Sequence, residues 1–183
     1  PLNYNQYYEA KDGAIWLWGA WNGCVRLNKL PDGNITTDFY APASSQLLSS
    51  SIVRFVFDDS SGDIWLGCQS GLNRISPEFS VQQYYEENNS HTFLKAFEIG
   101  KHIYFVTTQH RIFIYNTTTK TFLPDTIHFN TPATFSDVAQ FGPSHLLLVC
   151  REEGLITYNI VTGEFEKEPF AGDGEIHGNI QFI

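Results

Sequence analysis

Apolar residues in this chain gather in short runs fenced by Gly, Asp, Ser and Asn. One full cycle is plain between residues 52 and 85. The apolar run 52–57 leads into Asp58-Asp59-Ser60-Ser61-Gly62-Asp63, then the run 64–68, the tight Gln69-Ser70-Gly71, the run 72–75 and the mixed segment 80–85. These lengths and fences predict four strands joined by turns, with Gly62 and Gly71 where a positive φ is needed. Runs 103–106 and 146–149 are apolar without alternation, the pattern of a strand covered on both faces. No segment sustains a helical period, so the predicted class is all-β.

The cycle recurs along the chain. Asp12-Gly13-Ala14-Ile15-Trp16-Leu17 matches Ser61-Gly62-Asp63-Ile64-Trp65-Leu66, with Trp65 lying 49 residues after Trp16. Two looser copies align with each other without a gap: Gly100-Lys101-His102-Ile103-Tyr104-Phe105-Val106-Thr107 and, 43 residues later, Pro143-Ser144-His145-Leu146-Leu147-Leu148-Val149-Cys150. Tyr104 follows Trp65 by 39 residues, so constant cores are joined by loops of variable length. Four-stranded units at this period predict β-propeller blades. Their approximate bounds are 3–45, 50–87, 92–125 and 134–171, with 177–183 as the inner strand of a following blade. The expected object is therefore part of a larger propeller; a closed four-bladed ring is the alternative.

The second copy carries a more specific resemblance. Phe57-Asp58-Asp59-Ser60-Ser61-Gly62-Asp63-Ile64-Trp65-Leu66-Gly67-Cys68-Gln69-Ser70-Gly71-Leu72-Asn73-Arg74-Ile75 resembles the two-component regulator propeller repeat, with Cys68 in place of the usual Thr. Residues 8–27 resemble it with a one-residue insertion. The copies from Phe93 and Thr134 keep the strands but lose the Asp and the Trp. The resemblance implies the periplasmic sensor region of hybrid two-component systems of Bacteroides-type bacteria, where two seven-bladed propellers precede a β-sandwich, a membrane helix and a histidine kinase. It further implies an oligosaccharide ligand, a homodimeric full-length protein and no catalysis in this segment.

Charge narrows the partners. With 20 acidic and 11 basic residues the net charge is −9, and Lys and Arg never cluster, which argues against nucleic acid and for a neutral ligand or a protein. No run of 18 apolar residues offers a membrane span. Cys24, Cys68 and Cys150 lack metal or redox spacing and read as small buried hydrophobes. The six histidines form no ligand pair, and the loop containing Asp173, Glu175 and His177 reads as a solvated turn, so neither metal nor cofactor is expected. Asp12, Asp58, Asp59 and Asp63 could in principle serve glycoside hydrolysis. They fall, however, where the repeat demands polar turn formers.

The first copy departs from its repeat after the second strand. Where the second copy has Leu66-Gly67-Cys68-Gln69-Ser70-Gly71, the first has Leu17-Trp18-Gly19-Ala20-Trp21-Asn22-Gly23, adding two Trp. The corresponding loops of later units hold His110 and Arg111, then Arg151 and Glu152. Trp18, Trp21, Asn22, Gln69, His110, Arg111, Arg151 and Glu152 are thus the candidate ligand-binding residues, mixing aromatic faces with hydrogen-bonding groups. The function expected is an extracytoplasmic, periplasmic ligand sensor that relays to a kinase elsewhere in the protein. The alternatives are a secreted propeller enzyme acting on glycans and a protein-interaction or dimerisation scaffold.

Overall fold

The computed structural model describes residues 4–19, 21–43, 48–84, 91–124, 127–129, 134–151 and 153–167. The inner strand expected over 177–183, the loop 173–177 and Glu152 lie outside them. The chain divides into two compact units, Pro1–Phe93 and Leu94–Ile183. Each unit holds two antiparallel sheets whose strands follow one another in chain order.

The first unit begins with β1 (Gln6–Glu9), β2 (Ile15–Trp18), β3 (Cys24–Lys29) and β4 (Ile35–Tyr40). Its second sheet is β5 (Val53–Asp58), β6 (Ile64–Cys68), β7 (Leu72–Ile75) and β8 (Val81–Tyr84), within one residue of the strands expected from the sequence. The second unit contains β9 (Phe93–Ile99), β10 (His102–Thr107), β11 (Arg111–Asn116) and β12 (Thr121–Phe122). There β13 (Ile127–His128) adds a fifth strand by pairing with β11. The last sheet is β14 (Phe135–Phe141), β15 (His145–Cys150), β16 (Gly154–Asn159) and β17 (Phe165–Lys167).

Strand parity decides what is buried. Across the first sheet Trp16 lies opposite Arg26, and Trp18 opposite Cys24, which in turn faces Tyr40. Trp16, Trp18, Cys24 and Tyr40 therefore share one face, and they form a core with Val53, Val56, Ile64, Leu66, Cys68 and Ile75 of the second sheet. Strand β6 is buried at every position. Gly67 is required there, because a Cβ would stand 2.0 Å from the Phe55 ring. In the second unit Tyr104, the repeat equivalent of Trp16, is likewise in the core, with Val106, Phe135, Leu146, Leu148 and Tyr158. Aromatic stacking ties that core together, Phe129 meeting Phe135 at 4.8 Å and Phe165 at 4.4 Å.

The turn between first and second strands explains the repeat's acidic residues. Asp59 accepts hydrogen bonds from the backbone N–H of Ser61 and Asp63, at 2.8 and 3.1 Å, and from the Trp65 indole at 2.9 Å. Burial holds its carboxyl above the usual range against those bonds. Asp63 receives the Nε and Nη2 of Arg74 at 2.8 and 2.5 Å. In the first copy the turn closes identically, Ala10 N–H to Ala14 C=O at 2.9 Å, but Ala10 replaces Asp59 and Ala14 replaces Asp63. Arg26 turns instead to Asp12 at 2.5 Å. The buried Trp16 indole N–H is left without an acceptor among the described residues.

Two predictions follow from these environments. Trp65→Phe is expected to cost about 1–3 kcal/mol more than Trp16→Phe in urea unfolding, since only Trp65 loses a bond to a carboxylate; equal losses would show that the Asp59 bond contributes nothing. All three cysteines are buried. Burial pushes the Cys68 thiol up to about 11 and Cys24 well above its ordinary value. At pH 8 a chromogenic thiol reagent should leave both unreacted in the folded chain and titrate them in guanidinium; prompt native labelling would refute the packing described.

Candidate functional site

The first unit has two unlike ends. At one, the turns β1–β2, β3–β4, β5–β6 and β7–β8 gather Asp12, Asp32, Asp58, Asp59, Asp63 and Glu78. The two sheets meet there through Asp58, which accepts the Tyr8 hydroxyl and, at 2.6 Å, the Lys11 N–H. Burial, followed by the Asp58 carboxylate, raises the Tyr8 phenol to about 12. At Asp12 burial pushes upward, but the donors of Ala14 and Arg26 outweigh it and hold the carboxyl below its ordinary value. The carboxylates with a conceivable acid–base role, Asp12, Asp58, Asp59 and Asp63, are thus engaged in building turns and joining sheets.

The opposite end carries the loops that deviate from the repeat. Gly23 N–H, at the end of the β2–β3 loop, donates to Ser51 C=O at 2.7 Å, and Gln69 N–H, in the β6–β7 loop, donates to Ile52 C=O at 2.9 Å. Both loops therefore converge on the segment entering β5. That segment is fixed in turn by the buried Asn73, whose Oδ1 accepts Ser49 N–H at 2.9 Å and whose Nδ2 donates to Ser49 Oγ at 2.9 Å. Among the described residues of these loops there is no carboxylate.

The structure separates the two candidate tryptophans. Trp18 is only 7% exposed and belongs to the core, its indole N–H without an acceptor among the described residues. Alternation along β2 puts it on the same face as Trp16, so it is a packing residue and no part of the surface. Trp21 is 72% exposed and adopts φ 85°, a left-handed conformation costly for a bulky side chain. Asn22 is half-buried beside it, and Gln69 is exposed on the neighbouring loop. Sequence reasoning passed over Arg54, an exposed residue in β5; the signal was a charged side chain inside an otherwise apolar inner strand.

In the second unit the equivalent loops behave alike. His110 C=O accepts Phe129 N–H at 3.0 Å, Thr108 C=O accepts Phe135 N–H at 3.3 Å, and Thr134 C=O accepts Arg151 N–H at 3.1 Å. His110 sits at φ 60° with its ring edge-on to Phe135 at 5.7 Å, and its buried Nδ1 has no partner among the described residues. Arg111 is half-buried at the start of β11, while Arg151 is exposed. Among the described residues no group of His, Cys, Asp and Glu is arranged to hold a metal ion, and no helix is long and apolar enough to cross a membrane.

The chain matches no known family model and no curated protein. Solved structures do match it. The extracellular domain of a hybrid two-component system of B. thetaiotaomicron superposes on 91% of this chain with a TM-score of 0.67 at 18% identity, over 24% of its own length. A second extracellular domain from B. thetaiotaomicron, of a one-component system, superposes on 90% with a TM-score of 0.64 at 19% identity, over 21% of its length. Virginiamycin B lyase from Staphylococcus aureus superposes on 91% with a TM-score of 0.67 at 16% identity, over 55% of its length. The chain thus spans about half of the lyase and a quarter or less of the two extracellular domains. Sheet topology and these likenesses together give its fold: an all-β propeller segment with four antiparallel sheets among the described residues, an architecture shared with extracellular domains of B. thetaiotaomicron signalling systems.

Proposed function

We propose that the chain is the extracytoplasmic, ligand-sensing propeller part of a two-component sensor, recognising an oligosaccharide and relaying its binding to a kinase on the same polypeptide. The observation that carries this reading is the superposition of about nine-tenths of the chain on extracellular domains of B. thetaiotaomicron signalling systems. The repeat copy over residues 57–75 supports it independently from the sequence. In this reading the location is the periplasm, and further blades, a β-sandwich and a second copy of the protein are its structural partners.

The division of labour between the ends of the first unit supports binding over catalysis. Carboxylates are used to close turns, whereas the loops at the other end present an exposed indole and amide groups. A flat aromatic face covers the apolar C–H face of a sugar ring, while amides and hydroxyls meet its hydroxyl groups. Trp21→Ala is expected to weaken oligosaccharide binding at least about tenfold by calorimetry, the equivalent of about 1.4 kcal/mol. Unchanged affinity with an intact fold would remove this loop from the site.

A further inference from the structure

Arg54 stands at the end of the first unit where the described loop residues include no carboxylate. The register of β5 on β6 shifts between Val53, opposite Cys68, and Phe55, opposite Gly67, which leaves Arg54 as the extra residue of a bulge. A bulge bends its strand and re-aims the side chain it frees. Arg54 is exposed and makes no hydrogen bond or ion pair with any described residue, whereas Arg26 is paired with Asp12 and Arg74 with Asp63. An unpaired guanidinium is thereby displayed beside loops whose described residues carry no carboxylate, in a chain whose net charge is −9.

Its neighbours are fixed by backbone bonds. Trp21 lies two residues before Gly23, which bonds Ser51, and Gln69 bonds Ile52, two residues before Arg54. At 3.8 Å between successive Cα atoms, at most about 7.6 Å of chain separates Ile52, the partner of Gln69, from Arg54, and the Trp21 loop joins the same segment one residue earlier. The turn carboxylates do not cancel the field there. Asp58, at the far end of the same strand, is four residues or about 13 Å from Arg54, beyond the screening length of about 8 Å at physiological salt.

We propose that this end of the first unit binds an anionic sugar, with its carboxylate or sulfate on the Arg54 guanidinium, its ring against Trp21 and its hydroxyls at Gln69. Net charge alone pointed to a neutral ligand or a protein; the unpaired guanidinium on the bulge points to an acidic one. Guanidinium suits both oxyanions because its planar fork donates two parallel bonds. The proposal rests on the oligosaccharide reading above and specifies its chemical class.

Calorimetry on the full chain with three probes tests it: neutral manno- and xylo-oligosaccharides, oligogalacturonides carrying carboxylates, and sulfated chondroitin disaccharides. One acidic probe should bind, with affinity falling as salt rises, and Arg54→Gln should weaken it at least about tenfold while circular dichroism and thermal unfolding stay those of the parent. Whichever acidic probe binds identifies the oxyanion. Binding of a neutral probe that Arg54→Gln leaves unchanged would overturn the anionic assignment and spare the oligosaccharide reading. An acidic probe bound equally well by Arg54→Gln would remove the site from this bulge, and absence of binding by every probe would defeat both.

Discussion

Sheets that pack face to face stand about 10 Å apart, and in each unit of this chain that gap has to be filled from one repeated position on the second strand. Trp16 fills it in the first unit and Tyr104 in the second, each with an apolar partner two residues along, Trp18 or Val106, on the same face. The other face of the second sheet is packed as tightly. Gly67 has no side chain because Phe55 occupies the space a Cβ would need. The cysteines sit at strand ends where only a small, dry side chain fits. Turns and loops are then free to vary at the two ends of the sheets.

Polar ties are layered over that packing, and they are interchangeable in a way apolar packing is not. In the second copy one carboxylate serves the turn and the indole while another serves the arginine. In the first, a single carboxylate at Asp12 serves both the turn and the arginine, and the indole goes without. The second unit dispenses with the arrangement and stacks aromatics instead. The apolar periodicity persists through the four described sheets because each needs it; the Asp-Trp-Arg tie is one of several ways to finish the job, and among the described residues the second copy alone keeps it whole.

Much of this was legible in the sequence. The continuous runs around Tyr104 and Leu148 announced buried strands, and the bounds of β5 to β8 could be read to within a residue because their turns are marked by Gly62 and Gly71. Two things were hidden. Trp18 and Trp21 look alike as a pair, but strand parity sends the first inward while the loop holds the second out, so only half of the apparent aromatic surface exists. The charge of Arg54 marks its position in an apolar strand, but the bulge itself stays hidden, since a register shift is a property of two strands together and the sequence shows one at a time. Likewise β13 is two residues long and owes its existence to its partner, not to its own propensity.

The separation of charge along the strands of the first unit has a physical consequence beyond any single contact. Among the described residues the turn carboxylates gather at one end of the strands, and Arg54 is an unpaired cation near the other. A polyanionic glycan approaching such a surface is repelled from the turns and drawn toward Arg54. Orientation of that kind raises the fraction of encounters that arrive face first without adding a bond, and it fades as salt is added. Encounter rate and residence time would therefore respond to different parts of the same molecule.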